Sequence, residues 1–229
     1  MIETTSHSAA DRAARPRALA ATVALWMAVI FVSWLVLLHV VRADLDPSWH
    51  MVSEYAIGRF GWMNTAAFLS LAGGFFSLMV ALRPVARGTL GVTGLVFLTV
   101  AGFGAAMGGL FATDPPGTAP EHISRTGMLH GLSFMLGVPS TLFAVTCLNA
   151  RLWQDTSWRD ARPLLLASAG FVWLTMLVFA ASMITYLSRG ATGSEFIVGW
   201  QNRAVVLAWA LWIAGVSSRL RQSREVALA

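Results

Sequence analysis

Hydrophobic residues in this chain come in long runs, divided by short polar connections. Runs of this kind lie at Leu19–Val41, Trp62–Leu82, Thr89–Ala112, Gly127–Leu148 and Pro163–Leu187. Crossing a bilayer core about 30 Å thick takes about 20 apolar residues at a helical rise of about 1.5 Å, and each run reaches that length. A sixth run ends near Ser217 and is cut short at its start, because only Ala204–Val216 is apolar after Arg203. Those residues make about 20 Å of helix, too little to span. To cross, this helix must begin near Phe196 to Val198, which draws Gln201, Asn202 and Arg203 a turn or two below the surface. An arginine at that depth faces the bundle interior and needs a partner. The pattern predicts an all-α, polytopic membrane protein, a bundle of six transmembrane helices joined as antiparallel hairpins. Residues 19–217 form the transmembrane domain, between a tail at 1–18 expected to be disordered and a second tail at 218–229.

Composition agrees with lipid as the solvent. Of 229 residues, 56% are hydrophobic and 12% charged, against about 25% charged in a soluble domain. The net charge is +5, carried by sixteen basic residues that are all arginine. Such a balance can mark nucleic-acid binding, but here the arginines follow the loops. Eleven, among them Arg15, Arg83, Arg87, Arg151, Arg162 and Arg219, fall on one side, against five (Arg42, Arg59, Arg125, Arg189, Arg203) on the other. The positive-inside rule then places both termini in the cytoplasm and leaves no nucleic-acid partner. Val41-Arg42-Ala43 resembles a cleavage site, yet the first run exceeds the roughly 7–15 residues of a signal core, so an uncleaved anchor is expected. The single cysteine, Cys147, excludes an intrachain disulfide and a cysteine-based metal site.

Within the bundle, Gly104 and Gly108 make a small-xxx-small pair that lets a neighbour approach, and the third span reads as the central, buried helix. Pro139 interrupts the fourth span.

Polar chemistry gathers at the non-cytoplasmic helix ends: Asp44, Asp46, His50, Ser53, Glu54, Asp114, Glu121, His122, His130, Glu195, Gln201, Asn202 and Arg203. Glu54 and Asp114 are the carboxylates expected to meet Arg203. A salt bridge there serves either as a lock between hairpins or as part of a site. His130 lies one turn inside the fourth span between small residues, where neutral imidazole serves as acid, base or ligand. A metal is not favoured: His122 and His130 are separated by about 12 Å of rise and about 80° on one helix. If a metal were held, His130 with Glu54 or Asp114 would supply the ligands. No nucleotide-binding, serine-hydrolase or H-E-x-x-H pattern occurs.

Four short motifs recur in order at these helix ends: Ser53-Glu54-Tyr55-Ala56-Ile57-Gly58, Phe111-Ala112-Thr113-Asp114-Pro115-Pro116-Gly117, the Gly127 and His130 pair, and Gly199-Trp200-Gln201-Asn202-Arg203. With the six spans they resemble the bacterial six-helix membrane family catalogued as domain of unknown function 998, from about Leu19 to Ser217. The family pattern has proline where Ala112 stands and lacks Asn202 between Gln201 and Arg203. The resemblance implies a multi-pass protein of the bacterial cytoplasmic (inner) membrane with a site at the outer helix ends; it implies no activity and names no cofactor.

The residues themselves suggest a polar pocket for a lipidic or amphipathic small molecule. In it His130 or Glu54 would move a proton, and Arg203, Gln201, Asp114, Ser53 and Tyr55 would hold the ligand. The alternatives are a non-catalytic subunit, sensor or chaperone whose polar cluster is a structural lock, and a small transporter. The last ranks below the others because the inner halves of the spans offer mostly Ser, Thr and Asn149. Membrane lipid is the one partner common to all three, and the sequence sets no oligomeric state.

Overall fold

The computed structural model describes residues 3–188 and 197–228. Six α-helices, α1 Glu3–Val41, α2 Gly61–Leu82, α3 Gly88–Leu110, α4 Arg125–Trp153, α5 Arg162–Ser188 and α6 Val198–Leu228, are joined by short connections. Three of the connections contain 3-10 turns, at Val52–Ala56, Pro120–His122 and Thr156–Ala161. Arg189 and Glu195, and the Phe196 limit of the expected sixth span, lie outside the described residues. All six helices contain a stretch long and apolar enough to cross a membrane, from Arg15–Val41 in the first to Val198–Gln222 in the last.

The helices form a ring in chain order, closed by α1 against α6. The tightest crossing is between α3 and α4. A Cβ on Gly104 would lie 2.5 Å from the Cα of Gly137, so the two backbones pack directly, as the small-xxx-small pattern requires. The third span is nevertheless not the most buried helix. Its apolar window is 39% buried, against 61% for α6. Its glycines face α2 and α4, and the opposite face, with Val92, Val96, Phe103 and Leu110, is exposed toward lipid. The sixth helix packs on both α1 and α5 and also reaches α2. The most loosely held is α5, whose window is 22% buried, and it touches α4 only lightly.

At the arginine-rich end the amide of Asn149 donates to Leu165 O at 2.8 Å and accepts from Trp212 Nε1 at 2.9 Å, tying α4, α5 and α6 together. The chemically richer end, here the polar end, carries the segment 42–60, which folds over the mouth of the bundle between α1 and α2.

Candidate functional site

Since α6 begins at Val198, Arg203 lies five residues into the helix, about 7.5 Å below its start. It is 3% exposed, which agrees with the depth read from the short apolar run. Its partners differ from the expected carboxylates. Nε donates to His39 Nε2 at 2.7 Å, Nη1 to His50 O at 2.6 Å and Gly199 O at 2.9 Å, and Nη2 to the Tyr55 hydroxyl at 2.9 Å. All four acceptors are neutral. The guanidinium also lies 5.5 Å from the centre of the Tyr55 ring.

His39 stands in an otherwise apolar run near the end of α1, where hydropathy alone does not set it apart. Its Nδ1–H donates to Leu35 O at 2.6 Å, so Nε2 keeps the lone pair that receives Arg203. An imidazole used in this way is the neutral tautomer.

Glu54 is buried but points elsewhere. Oε2 meets His50 Nδ1 at 2.5 Å and Oε1 accepts the Met51 N–H at 2.9 Å, which closes the 3-10 turn on itself. Tyr55, fully buried, turns inward from that turn. The amide of Asn202 accepts the Val52 N–H at 2.9 Å, and Gly199 N donates to Ser48 O at 2.9 Å. A Cβ on Gly199 would lie 2.6 Å from His50 O, so only glycine lets the start of α6 pass under this segment. The motif around Ser53 and the motif ending in Arg203 are thus two halves of one joint. Outside the spans, Arg42 hydrogen-bonds Asp44 and holds its carboxyl below the usual carboxylate range. Asp46 is likewise lowered, by the backbone N–H of Ser48.

Asp114 belongs to a second cluster. Its Oδ2 accepts the Ser124 N–H at 2.9 Å, and Ser124 Oγ accepts Gly127 N at 3.0 Å. The carboxylate therefore sits at the N-terminus of α4, where the helix dipole favours negative charge. A Cβ on Gly127 would run into the Asp114 carboxylate, which accounts for that glycine. One turn on, His130 Nδ1–H donates to Phe111 O at 2.9 Å. The bond satisfies a free carbonyl at the C-terminal end of α3 and leaves His130 Nε2 as the acceptor.

Between the clusters lies an internal cavity of about 80 Å³. Phe68, Leu71, Val205 and Trp209 supply carbon walls; Ser53, His130, Ser133 and Asn202 supply polar atoms; Gly104 and Gly108 leave room. Phe179 and the partly exposed Phe134 also line it, with ring centres 6.3 Å apart across the α4–α5 seam.

The expected site residues therefore part company. His130 and Ser53 line the cavity; Arg203, Tyr55 and Glu54 belong to the α1–α6 joint; Asp114 caps α4. Gln201 lines neither, and its Oε1 is buried without a hydrogen-bond partner, as are both amide atoms of Asn64. No group of three metal-ligating side chains gathers among the described residues, and the combination of His130 with Glu54 or Asp114 is not assembled, since each is bonded elsewhere.

No curated protein and no solved structure matches the chain. The family model described as "Protein of unknown function (DUF998)" matches residues 25–219. That stretch takes in all four motifs and nearly the whole of the six-helix bundle, and the chain is a member of the DUF998 family of membrane proteins.

Proposed function

We propose that the protein binds an amphipathic, lipid-like small molecule by its polar end, which the cavity between α2, α3, α4, α5 and α6 would take while the tail runs out through the α4–α5 seam, with the polar end of the bundle facing outward from a bacterial cytoplasmic membrane. The observation that carries this reading is the composition of the cavity wall: carbon on most sides, with Ser53, His130, Ser133 and Asn202 also on it. A concave apolar site with a few convergent polar groups is the usual form of a small-molecule pocket. His130 Nε2 is the acceptor there, the amide nitrogen of Asn202 is the donor, and the Ser53 hydroxyl serves as either. A bound hydroxyl or amide would meet His130, which is placed to take or return a proton. The thin α4–α5 seam beside Phe134 and Phe179 supports entry from the bilayer. The outward orientation rests on the arginine count of eleven against five.

A second reading, a non-catalytic component held by a polar lock, is favoured by the Arg203 joint alone. Its four bonds reach α1, the 48–55 segment and α6, and they describe a clamp better than a ligand site. The two readings are compatible once the clamp and the cavity are taken as separate structures.

Native mass spectrometry of the purified full chain, released gently from membranes, tests the binding reading. The wild type should carry a lipophilic adduct. Ala105→Phe, which fills the cavity from its α3 wall, should lose it while remaining folded and monodisperse, with a melting temperature lowered by no more than an overpacked core side chain costs. A wild type that carries none after extraction from total membranes, or an Ala105→Phe variant that keeps the adduct, would count against the reading.

A further inference from the structure

A second concavity opens on the lipid-facing side of the bundle, between α1 and α6, away from the internal cavity. It encloses about 520 Å³ and is walled by Val32, Val36 and Val40 of α1 and by Ala204 and Leu207 of α6, with Trp200 beside its polar end. Successive α1 positions in the wall are four residues apart, so the groove follows one helix face for about 12 Å along the membrane normal. Val36 and Val40 are 61% and 70% exposed, which leaves this face open to lipid in the described residues.

Arg203 and His39 line the same groove near its polar end. Among the described residues Arg203 has no carboxylate within ion-pair distance; Asp44 is paired with Arg42, and Glu54 is hydrogen-bonded to His50. Four of the five guanidinium N–H groups are taken by neutral acceptors, which leaves one on Nη2. A cation inside a membrane-spanning helix is costly, and backbone carbonyls or an anion offset that cost; Arg203 has the carbonyls of His50 and Gly199 and room for an anion beside them. Among the described residues Arg203 has hydrogen-bond acceptors and no counter-charge at contact, Glu54 and Asp46 acting on it only through space, and the approach left open is an apolar channel that runs in the direction of an acyl chain.

We infer that this groove is a docking site for an anionic phospholipid of the leaflet at the polar end, with its phosphodiester on Arg203 and one acyl chain along Val32, Val36, Val40 and Leu207. The phosphodiester is held below the usual headgroup level by the guanidinium, and Trp200 packs at the interfacial boundary as aromatic residues do. The bound lipid completes the charge of the α1–α6 joint. This site is independent of the internal cavity and of whatever occupies it.

The test uses the full chain in nanodiscs of equal phosphatidylglycerol and phosphatidylcholine, released into native mass spectrometry. Wild type should retain one phosphatidylglycerol at least tenfold over phosphatidylcholine. Val36→Trp fills the groove from an exposed position and replaces none of the hydrogen-bonding partners of Arg203, and should lower that retention at least tenfold with melting unchanged. Val29→Trp, exposed on α1 outside the groove, is the control and should behave as wild type. Equal retention of the two lipids, or a Val36→Trp protein that retains phosphatidylglycerol as wild type does, overturns the inference. So does displacement of the retained lipid by inorganic phosphate, because the headgroup alone would then be the ligand.

Discussion

Replacing Tyr55 by phenylalanine removes one hydroxyl from the polar end and little else. The ring stays buried and keeps its position 5.5 Å from the Arg203 guanidinium, so packing and the cation–π contact survive. What is lost is the Nη2–H···O bond at 2.9 Å. A hydrogen bond to a charged group contributes about 1.5–3 kcal/mol, and a buried donor left unpaired adds to the cost. The expected destabilisation is about 2 kcal/mol, on the order of 30-fold in the unfolding equilibrium. Arg203→Met removes the guanidinium and leaves His39 Nε2, His50 O and the Tyr55 hydroxyl without their donor. In that background Tyr55→Phe should cost no more than about 0.5 kcal/mol, giving a coupling energy of about 1.5 kcal/mol between the two positions. The assay is equilibrium unfolding in mixed micelles for the wild type, the two single variants and the double variant. A Tyr55→Phe cost that is the same with and without Arg203 would refute the joint as described.

Gly199→Ala should be among the most damaging small substitutions, because its methyl group would meet the His50 carbonyl at 2.6 Å; a loss of at least about 2 kcal/mol is expected, read as reduced membrane yield and a lower melting temperature. Asp114→Ala removes the acceptor for Ser124 N and should cost about 1 kcal/mol, measured by thermal unfolding, with adduct retention in the internal cavity unchanged. His130→Asn should abolish retention of a cavity adduct in native mass spectrometry while shifting stability by no more than about 1 kcal/mol, since only the bond to Phe111 O is lost or remade. The lowered carboxyl of Asp44 gives a pH signature. Stability from its pairing with Arg42 is full above the unfolded carboxyl pKa of about 4 and is lost as pH falls through the folded value below it. Asp44→Asn should flatten that part of the profile when melting is followed from pH 7 to 3, and an unchanged acid limb would contradict the assignment.

Much of the fold was legible because the bilayer imposes a length on every spanning helix. The runs at Trp62–Leu82 and Thr89–Ala112 came within one or two residues of α2 and α3. The Gly127–Leu148 run stopped short because Asn149 and Arg151 break the apolar pattern, although Asn149 is buried between α4, α5 and α6. The depth of Arg203 was also legible, from the shortness of the apolar stretch after it. Its partners were not. Reasoning from charge pointed to Glu54 and Asp114, whereas the fold answers the guanidinium with an imidazole, a phenol and two carbonyls. Which face of the Val52–Ala56 turn carries Glu54 and which carries Tyr55 depends on a 3-10 geometry that hydropathy does not encode. The available signal was His39, an ionisable group in an apolar run, open to the same rule that singled out His130. The separation of the polar residues into a joint, a helix cap and a cavity wall is a property of packing, and spacing along the chain carries no trace of it.

The central claim is that the space beside His130 is a ligand site. Cryo-electron microscopy of the wild-type protein in nanodiscs made from native membrane lipid tests it most directly. The account predicts density that enters the cavity from the α4–α5 seam and ends in a polar group within hydrogen-bond distance of His130 Nε2 or the Asn202 amide, and that is absent from the Ala105→Phe variant. A closed or empty cavity in the wild type, with the walls of α3, α4 and α6 in contact across it, would contradict the account.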